Sequence, residues 1–198
     1  MDGPPGPCQC RTMTRSLRPY LFVAGLILAT AAWLLWSGRL PICACGFVSL
    51  WHGQVPSSQN SQHLSDWYTP SHIIHGLLFY GVLWLVARRL SFGNRLALAT
   101  AVECLWEVVE NSAMVIERYR TATVALDYYG DSVVNSVADV GAMVAGFYLA
   151  RALPVWASVA LALGFEVLTA FVIRDGLALN VLMLLWPVPG VLEWQSGL

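Results

Sequence analysis

The stretch LALATAVECLWEVVENSAMVI, residues 96–116, is apolar enough to cross a bilayer, yet it carries three glutamates. Glu103, Glu107 and Glu110 stand at i, i+4 and i+7, which puts them on one helix face within an arc of about 60°. A carboxylate at the centre of a spanning helix costs roughly 2.5–3.5 kcal/mol on insertion scales. Because three such groups on one stripe disfavour contact with lipid, this face is predicted to look into a protein interior.

The composition of the whole chain agrees with a membrane location. Of 198 residues, 57% are hydrophobic and 12% are charged, whereas soluble domains carry about 25% charged residues. The formal net charge is −1, so the chain lacks the strongly basic surface that nucleic-acid binding requires. We therefore predict an all-α integral membrane helix bundle that has no nucleic-acid partner.

Six hydrophobic runs set the number of spans. They cover residues 20–36, 73–87, 96–116, 133–150, 153–173 and 177–186. The first five are long enough to cross, with flanking residues included. The sixth is short and is followed by Pro187 and Pro189, so it is either a sixth span or a re-entrant or interfacial helix. The prediction is five to six spans.

Arginine placement predicts the orientation, because cytoplasmic segments carry an excess of basic residues. Seven arginines fall on one side: Arg11, Arg15, Arg18, Arg88, Arg89, Arg95 and Arg151. Four fall on the other: Arg39, Arg118, Arg120 and Arg174. Residues 1–19 are therefore predicted to be a cytoplasmic tail, and residues 20–198 a single transmembrane domain with an external loop at 40–70. The first run is longer than a signal-peptide core and no cleavage site follows it, which favours a retained span.

With this orientation, polar residues from several spans converge on the outer side. A rise of 1.5 Å per residue places Glu103, Asp139 and Glu166 at a similar depth. A wider ring is predicted above them, formed by His72, His75, Glu110, Asp131 and Arg174. The pattern predicts a polar funnel that opens outward.

The ligand types in this funnel favour a divalent cation whose identity the sequence leaves open. The predicted metal ligands are Glu107, Glu110, Asp131, Asp139 and His75. Carboxylates alone suit magnesium, calcium or manganese, and added imidazole moves the preference toward manganese, iron or zinc. Two other interpretations stay open: structural polar packing, and a proton-coupled transport relay through Glu103, Asp139 and Glu166.

The leading chemical hypothesis is metal-assisted reaction on a lipid or envelope headgroup. His72, His75 and Glu107 are the predicted catalytic residues, with a histidine relaying a proton. Arg174, Asn135 and Arg118 are the predicted substrate-binding residues, and Arg174 suits a phosphate.

Three further motifs have simpler interpretations. Cys43 and Cys45, with His52 and His63, match no strong zinc spacing, so loop packing is favoured over a metal or redox role. Asp131 is predicted to cap the fourth span. Gly141 and Gly146 predict close helix packing.

A resemblance to a known family rests on five stretches of the chain. They are SSQNSQHLSDWYTPSHIIHGLLFYG (57–81), WEVVENS (106–112), ERYR (117–120), LDYYGDSVVNSVADV (126–140) and IRDGLALNVLML (173–184). Together they closely resemble an uncharacterised family of small alphaproteobacterial inner-membrane proteins, over residues 42–195. The resemblance implies a multi-pass protein of the cell inner membrane. Gly176 departs from the family pattern, which has Asn after the Ile-Arg-Asp triplet.

A more distant resemblance is to VanZ-type membrane proteins. It rests on a carboxylate-bearing helix that is followed by a later helix with Asp, Asn and Gly. The polar positions that match are Glu107 or Glu110, Arg118 or Arg120, and Asp131 with Asn135. This likeness carries no chemistry to these residues.

Overall fold

The chain folds as an all-α bundle in a computed structural model that describes residues 17–123, 125 and 127–197. The described helices are α1 Arg18–Trp36, α2 Thr69–Val86, α3 Phe92–Glu110, α4 Ala113–Ala122, α5 Val133–Ala152, α6 Val155–Ile173, α7 Leu177–Leu185 and α8 Pro189–Ser196. This confirms the predicted fold class. Most of the predicted cytoplasmic tail, residues 1–16, lies outside the described residues.

Four helices, α1, α2, α5 and α6, are long and apolar enough to cross a membrane. The chain is therefore a multi-pass membrane protein. Helix α3 has 19 residues, a comparable length, but it carries the three glutamates and Arg95. Helix α7 has nine residues, or about 13 Å, which is less than the roughly 30 Å of a hydrocarbon core. Its length favours the re-entrant or interfacial alternative, and the total of five to six spans stays a prediction.

Serine residues begin three of the helices by accepting a hydrogen bond from the first turn. Ser91 caps α3, Ser112 caps α4 and Ser132 caps α5. The hydroxyl of Ser132 accepts from the backbone N–H of Asn135 at 3.2 Å. The prediction that Asp131 caps this helix is wrong by one residue. Because Ser132 satisfies the helix start, the Asp131 carboxylate is available for other partners.

Helices α2 and α5 touch backbone to backbone at two glycines. A Cβ atom on Gly76 would lie 2.1 Å from the carbonyl oxygen of Met143, and one on Gly146 would lie 2.2 Å from that of Ile73. The predicted packing role is confirmed for Gly146 and wrong for Gly141, where a Cβ would meet open space. Small residues allow this approach, as is common between membrane helices.

The two glycines also set the position of the polar residues. His72 lies about one turn before Gly76 on α2, and Asp139 lies two turns before Gly146 on α5. The same contact is flanked by the buried apolar side chains of Met143 and Phe147. The close packing therefore holds the first turns of α2 against the first half of α5.

The segment 37–68 joins α1 to α2 without a helix or strand of its own and lies over the start of α5. The backbone N–H of Ser132 donates to the carbonyl of Ser61 at 3.0 Å. The side-chain amide of Asn135 donates to the carbonyl of His63 at 2.9 Å, and that of Gln62 donates to the carbonyl of Gly130 at 2.8 Å. These hydrogen bonds hold the long loop against the start of α5.

We expect Gly76→Ala and Gly146→Ala each to lower the free energy of unfolding by about 1–3 kcal/mol or more, because the new methyl group must push two backbones apart. Gly141→Ala is the matched control on α5. Its methyl group enters open space, so it should be neutral or stabilising by about 0.5–1 kcal/mol. Thermal unfolding in detergent measures all three. Equal melting temperatures for Gly76→Ala and Gly141→Ala would contradict the proposed contact.

Candidate functional site

The glutamate face of α3 is directed toward the interior of the bundle, as predicted from the spacing of the three glutamates. Glu103 and Glu107 are fully buried, and Glu110 is half-buried at the end of the helix. Helices α2 and α5 cover this face. His72 and His75 of α2 contact Glu103, and Tyr119 of α4 donates to Glu110.

His72 joins carboxylates from two different helices. Its Nδ1 atom lies 2.7 Å from Glu103 Oε1 and 3.8 Å from Glu107 Oε1, and its Nε2 atom lies 3.8 Å from Asp139 Oδ2. His75, one turn further along α2, has its Nδ1 atom 3.1 and 3.0 Å from the two oxygens of Glu103. The two imidazoles and three carboxylates form one connected cluster.

Asp131 extends the cluster toward the loops. The side-chain amide of Asn111 donates to Asp131 Oδ2 at 2.8 Å, and the backbone N–H of Asp131 donates back to Asn111 Oδ1 at 2.7 Å. The Tyr128 hydroxyl donates to Asp131 Oδ1 at 3.0 Å. Burial raises the pKa of Asp131 to about 6, although the hydrogen bonds from Asn111 and Tyr128 lower it in part.

Three overlapping groups of side chains have the spacing of metal ligands. They are His72–His75–Glu103, His72–Glu107–Asp139 and Glu107–Glu110–Asp131. Within each group, one ligand atom per residue lies within 4.8 Å of the others. The groups contain all five residues predicted as metal ligands, and they add His72 and Glu103.

Glu107 has no hydrogen-bond donor although it is fully buried. Neither of its carboxylate oxygens accepts a hydrogen bond, and Oδ1 of Asp139 is also buried without a partner. Buried polar atoms are almost always satisfied, because an unpaired one costs about 1–3 kcal/mol or more when charged. Glu107 and Asp139 are therefore the candidate positions for a bound ligand.

A cavity of about 200 Å³ opens beside the cluster. Its polar wall includes His72, His75, Glu110, Asp131 and Asp139. Apolar side chains also line it, from Trp106 of α3 and from Leu177, Val181 and Leu184 of α7. Charged and apolar side chains thus line one space large enough for a small organic group.

Two residues expected at the funnel lie elsewhere. Glu166 accepts hydrogen bonds from the backbone N–H groups of Leu177 and Ala178, at 2.9 and 3.0 Å, and so caps α7. Arg174 donates from Nη1 to the carbonyl oxygen of Trp194 at 2.8 Å, and its guanidinium lies over the Trp194 ring. Glu166 and Arg174 thus bind partners outside the cluster of His72, His75 and the α3 glutamates.

The other two predicted substrate-binding residues hold neighbouring elements. Asn135 binds the loop carbonyl of His63, as described above. Arg118 donates from Nε to the carbonyl oxygen of Leu184 at 2.9 Å, which links α4 to α7. Arg118 also lines a second, apolar groove that adjoins the cavity.

The cysteine motif of the external loop forms a disulfide between Cys43 and Cys45. His63 lies near it, but its Nδ1 atom accepts from the backbone N–H of Ser49 at 3.1 Å, and its ring stacks on Phe47. These contacts favour the loop-packing interpretation. His52 lies against His63, with the ring centres 5.2 Å apart.

Sequence reasoning missed three tyrosines that each donate a hydrogen bond to a carboxylate. Tyr119 donates to Glu110 at 2.9 Å, Tyr128 to Asp131, and Tyr68 to Asp175 at 3.1 Å. Two of the three lie in loop or cap positions, where no periodicity shows which way a side chain turns. The adjacent Tyr-Tyr-Gly-Asp run was the one signal available, and it does not tell Tyr128 from Tyr129.

Burial raises the pKa of Asp175 to about 6, and the hydrogen bonds from Gly176, Tyr68 and Gln195 oppose that rise. The folded state therefore binds a proton below about pH 6, whereas an unfolded aspartate binds one only below about pH 4. The contribution of Asp175 to the free energy of unfolding thus rises as the pH falls from 7 to 5. We expect the increase in the free energy of unfolding over this pH range to be about 1 kcal/mol smaller in Asp175→Asn than in wild type.

Unfolding in detergent at pH 5, 6 and 7 measures this difference. Glu193→Gln, which changes an exposed side chain of α8, is the matched control and should keep the wild-type pH slope. An identical slope in wild type and Asp175→Asn would contradict the raised pKa.

Comparisons with known proteins identify relatives over nearly the whole chain. A family model described as "Protein of unknown function (DUF2585)" matches residues 34–197. A UPF0314 protein of Paracoccus denitrificans is 65% identical over 185 residues, which cover 93% of this chain and 96% of that protein. A UPF0314 protein of Agrobacterium fabrum is 51% identical over 185 residues, with 93% of both chains covered.

A UPF0314 protein of Rhizobium etli strain CIAT 652 is 59% identical over 160 residues, covering 81% of this chain and 82% of that protein. No solved structure matches the chain. The predicted resemblance to an uncharacterised alphaproteobacterial family is confirmed, and the likeness to VanZ-type proteins stays a prediction. The chain belongs to the DUF2585 family of proteins of unknown function.

Proposed function

We propose that this protein of the inner membrane binds a divalent cation in an outward-facing site between α2, α3 and α5. The single observation that carries the proposal is Glu107, which is fully buried with both carboxylate oxygens lacking a hydrogen-bond donor. Four side chains share a possible ligand group with it: His72 and Asp139 in one group, Glu110 and Asp131 in the other. More arginines are predicted on the side of the membrane that holds the N-terminus than on the other side, which supports a cytoplasmic N-terminus and a periplasmic site.

Charge supports a cation as the occupant. Five carboxylates meet in this cluster, and in the described part of the chain their ion-pair partners are the imidazoles of His72 and His75. Uncompensated like charges in a low-dielectric interior repel strongly. A divalent cation on Glu107 would offset this repulsion. Mixed carboxylate and imidazole ligands favour manganese, iron or zinc over magnesium or calcium.

The arrangement suits metal-assisted chemistry on a lipid or envelope headgroup. A bound divalent cation polarises a carbonyl or phosphoryl oxygen, or lowers the pKa of a bound water. His75 lines the cavity and contacts Glu103 through Nδ1, so it can accept a proton from a group held there and be oriented by that carboxylate. His72 links Glu103 to the cation ligands Glu107 and Asp139.

Proton-coupled transport is the second candidate function. The contact series Glu103–His72–Asp139 favours it, since one imidazole bridges carboxylates of α3 and α5 through its two nitrogens. Glu166 is separate from this series because it caps α7. A measurement of the metal content of the purified protein separates the two candidates.

Metal content of purified protein tests the proposal. After incubation with manganese, iron or zinc and removal of excess ion, wild-type protein should hold close to one equivalent by mass spectrometry. Glu107→Gln should retain at least about tenfold less metal than wild type, as expected when a ligand is removed from a site of this kind. Glu117→Gln, an exposed acid of α4, is the control and should retain it. Folded wild-type protein without bound metal would exclude the proposal and favour the proton relay.

Chelation should expose the cost of the unpaired carboxylate. With chelator present, Glu107→Leu should be more stable than wild type by about 1–3 kcal/mol, because it removes a buried acceptor that has no partner. With metal present the order should reverse, since only wild type gains binding energy. Melting temperatures in both conditions measure this. If Glu107→Leu is less stable under chelation as well, the glutamate serves structural packing alone.

A further inference from the structure

An apolar groove runs beside the acidic cavity, between α4 and α7. It has a volume of about 710 Å³. Its wall includes Met114 and Leu185, whose side chains are 75% and 77% exposed. The groove is therefore open on its outer side.

The groove and the cavity are adjacent. Trp106, Val181 and Leu184 line both spaces. A molecule with a polar end and an apolar end that passes these three side chains would occupy the two together. A free polar solute would leave the groove unused.

Arg118 supplies a cation on the groove side. Its Nε atom donates to the carbonyl oxygen of Leu184 at 2.9 Å, and this bond holds the guanidinium at the groove wall. The other guanidinium nitrogens can donate to a phosphate, for which arginine geometry is suited. Glu117 also lines the groove and pairs with Arg120 at 3.8 Å, whereas Glu110, Asp131 and Asp139 line the cavity.

Charge also selects the headgroup. The cluster contains five carboxylates and two imidazoles, so acidic side chains outnumber basic ones there. An amine-bearing headgroup complements this charge, whereas an anionic headgroup is repelled. The phosphate of the same lipid would remain at Arg118.

Resting on the proposed function, we infer that the substrate of this site is a bilayer glycerophospholipid with an amine-bearing headgroup. The lipid enters laterally. One acyl chain lies in the groove between α4 and α7, the phosphate contacts Arg118, and the amine reaches the acidic cavity past Trp106. The bound cation and His75 then face the headgroup.

Photo-crosslinking tests this assignment. Wild-type protein in nanodiscs is irradiated with phosphatidylethanolamine that carries a diazirine in one acyl chain, and the labelled peptides are mapped. We expect label on α4 and α7. Val181→Trp narrows the junction and should reduce that label by about fivefold or more, as should Arg118→Gln, through loss of the phosphate contact. Val167→Trp, at a 68% exposed position of α6, is the matched control and should leave the label unchanged.

Two comparisons decide the headgroup and separate this inference from the metal proposal. Phosphatidylglycerol with the same diazirine chain should label α4 and α7 less than phosphatidylethanolamine, and equal labelling would overturn the headgroup assignment. Metal content should be unchanged in Val181→Trp. Glu107→Gln should lose metal and keep the acyl label on α4 and α7. Label in a wild-type protein that binds no metal would support the lipid site and exclude the cation.

Uniform labelling of all spanning helices, unaffected by Val181→Trp, would show annular lipid only and overturn the inference. Folding is checked independently for each variant by size-exclusion chromatography and thermal unfolding. A variant that is folded but unlabelled therefore reports on the groove itself.

Discussion

The contact between Gly76 of α2 and Gly146 of α5 sets the distance between the two helices that frame the site. A methyl group at either position would overlap a backbone carbonyl of the other helix. Because the helices approach so closely, His72 reaches Asp139 on one side and Glu103 on the other. A wider spacing would let water or lipid enter among the carboxylates, and the ligand groups would separate.

Burying several carboxylates inside a membrane protein is costly, so the polar network around them has to be extensive. Asn111 and Tyr128 satisfy Asp131, Tyr119 satisfies Glu110, and two histidines contact Glu103. Glu107 and Asp139 are the exceptions, since both oxygens of Glu107 and Oδ1 of Asp139 lack a donor. Unpaired buried acids beside satisfied neighbours support the proposed role in cation binding.

The short helices have a different part in the architecture. Helix α7 is capped by Glu166 and tied to α4 by Arg118. Its apolar residues form one wall of the acidic cavity and one wall of the adjoining groove. The polar cluster thus lies between the long helices, whereas the adjoining apolar groove lies between α4 and α7, which are too short to span.

The sequence by itself determined the fold class, the apolar spans and the shared face of Glu103, Glu107 and Glu110, since helix periodicity is a local property of the backbone. It also brought His75, Asp131 and Asp139 to the same end of the bundle. Only the tertiary structure decided that Glu166 and Arg174 turn away. Apart from Glu166, Ser158 and Thr169, helix α6 is apolar all round, so its pattern does not set its rotation. Two of the three tyrosine donors, Tyr68 and Tyr128, lie in cap or loop positions, where no sequence period encodes the direction of a side chain.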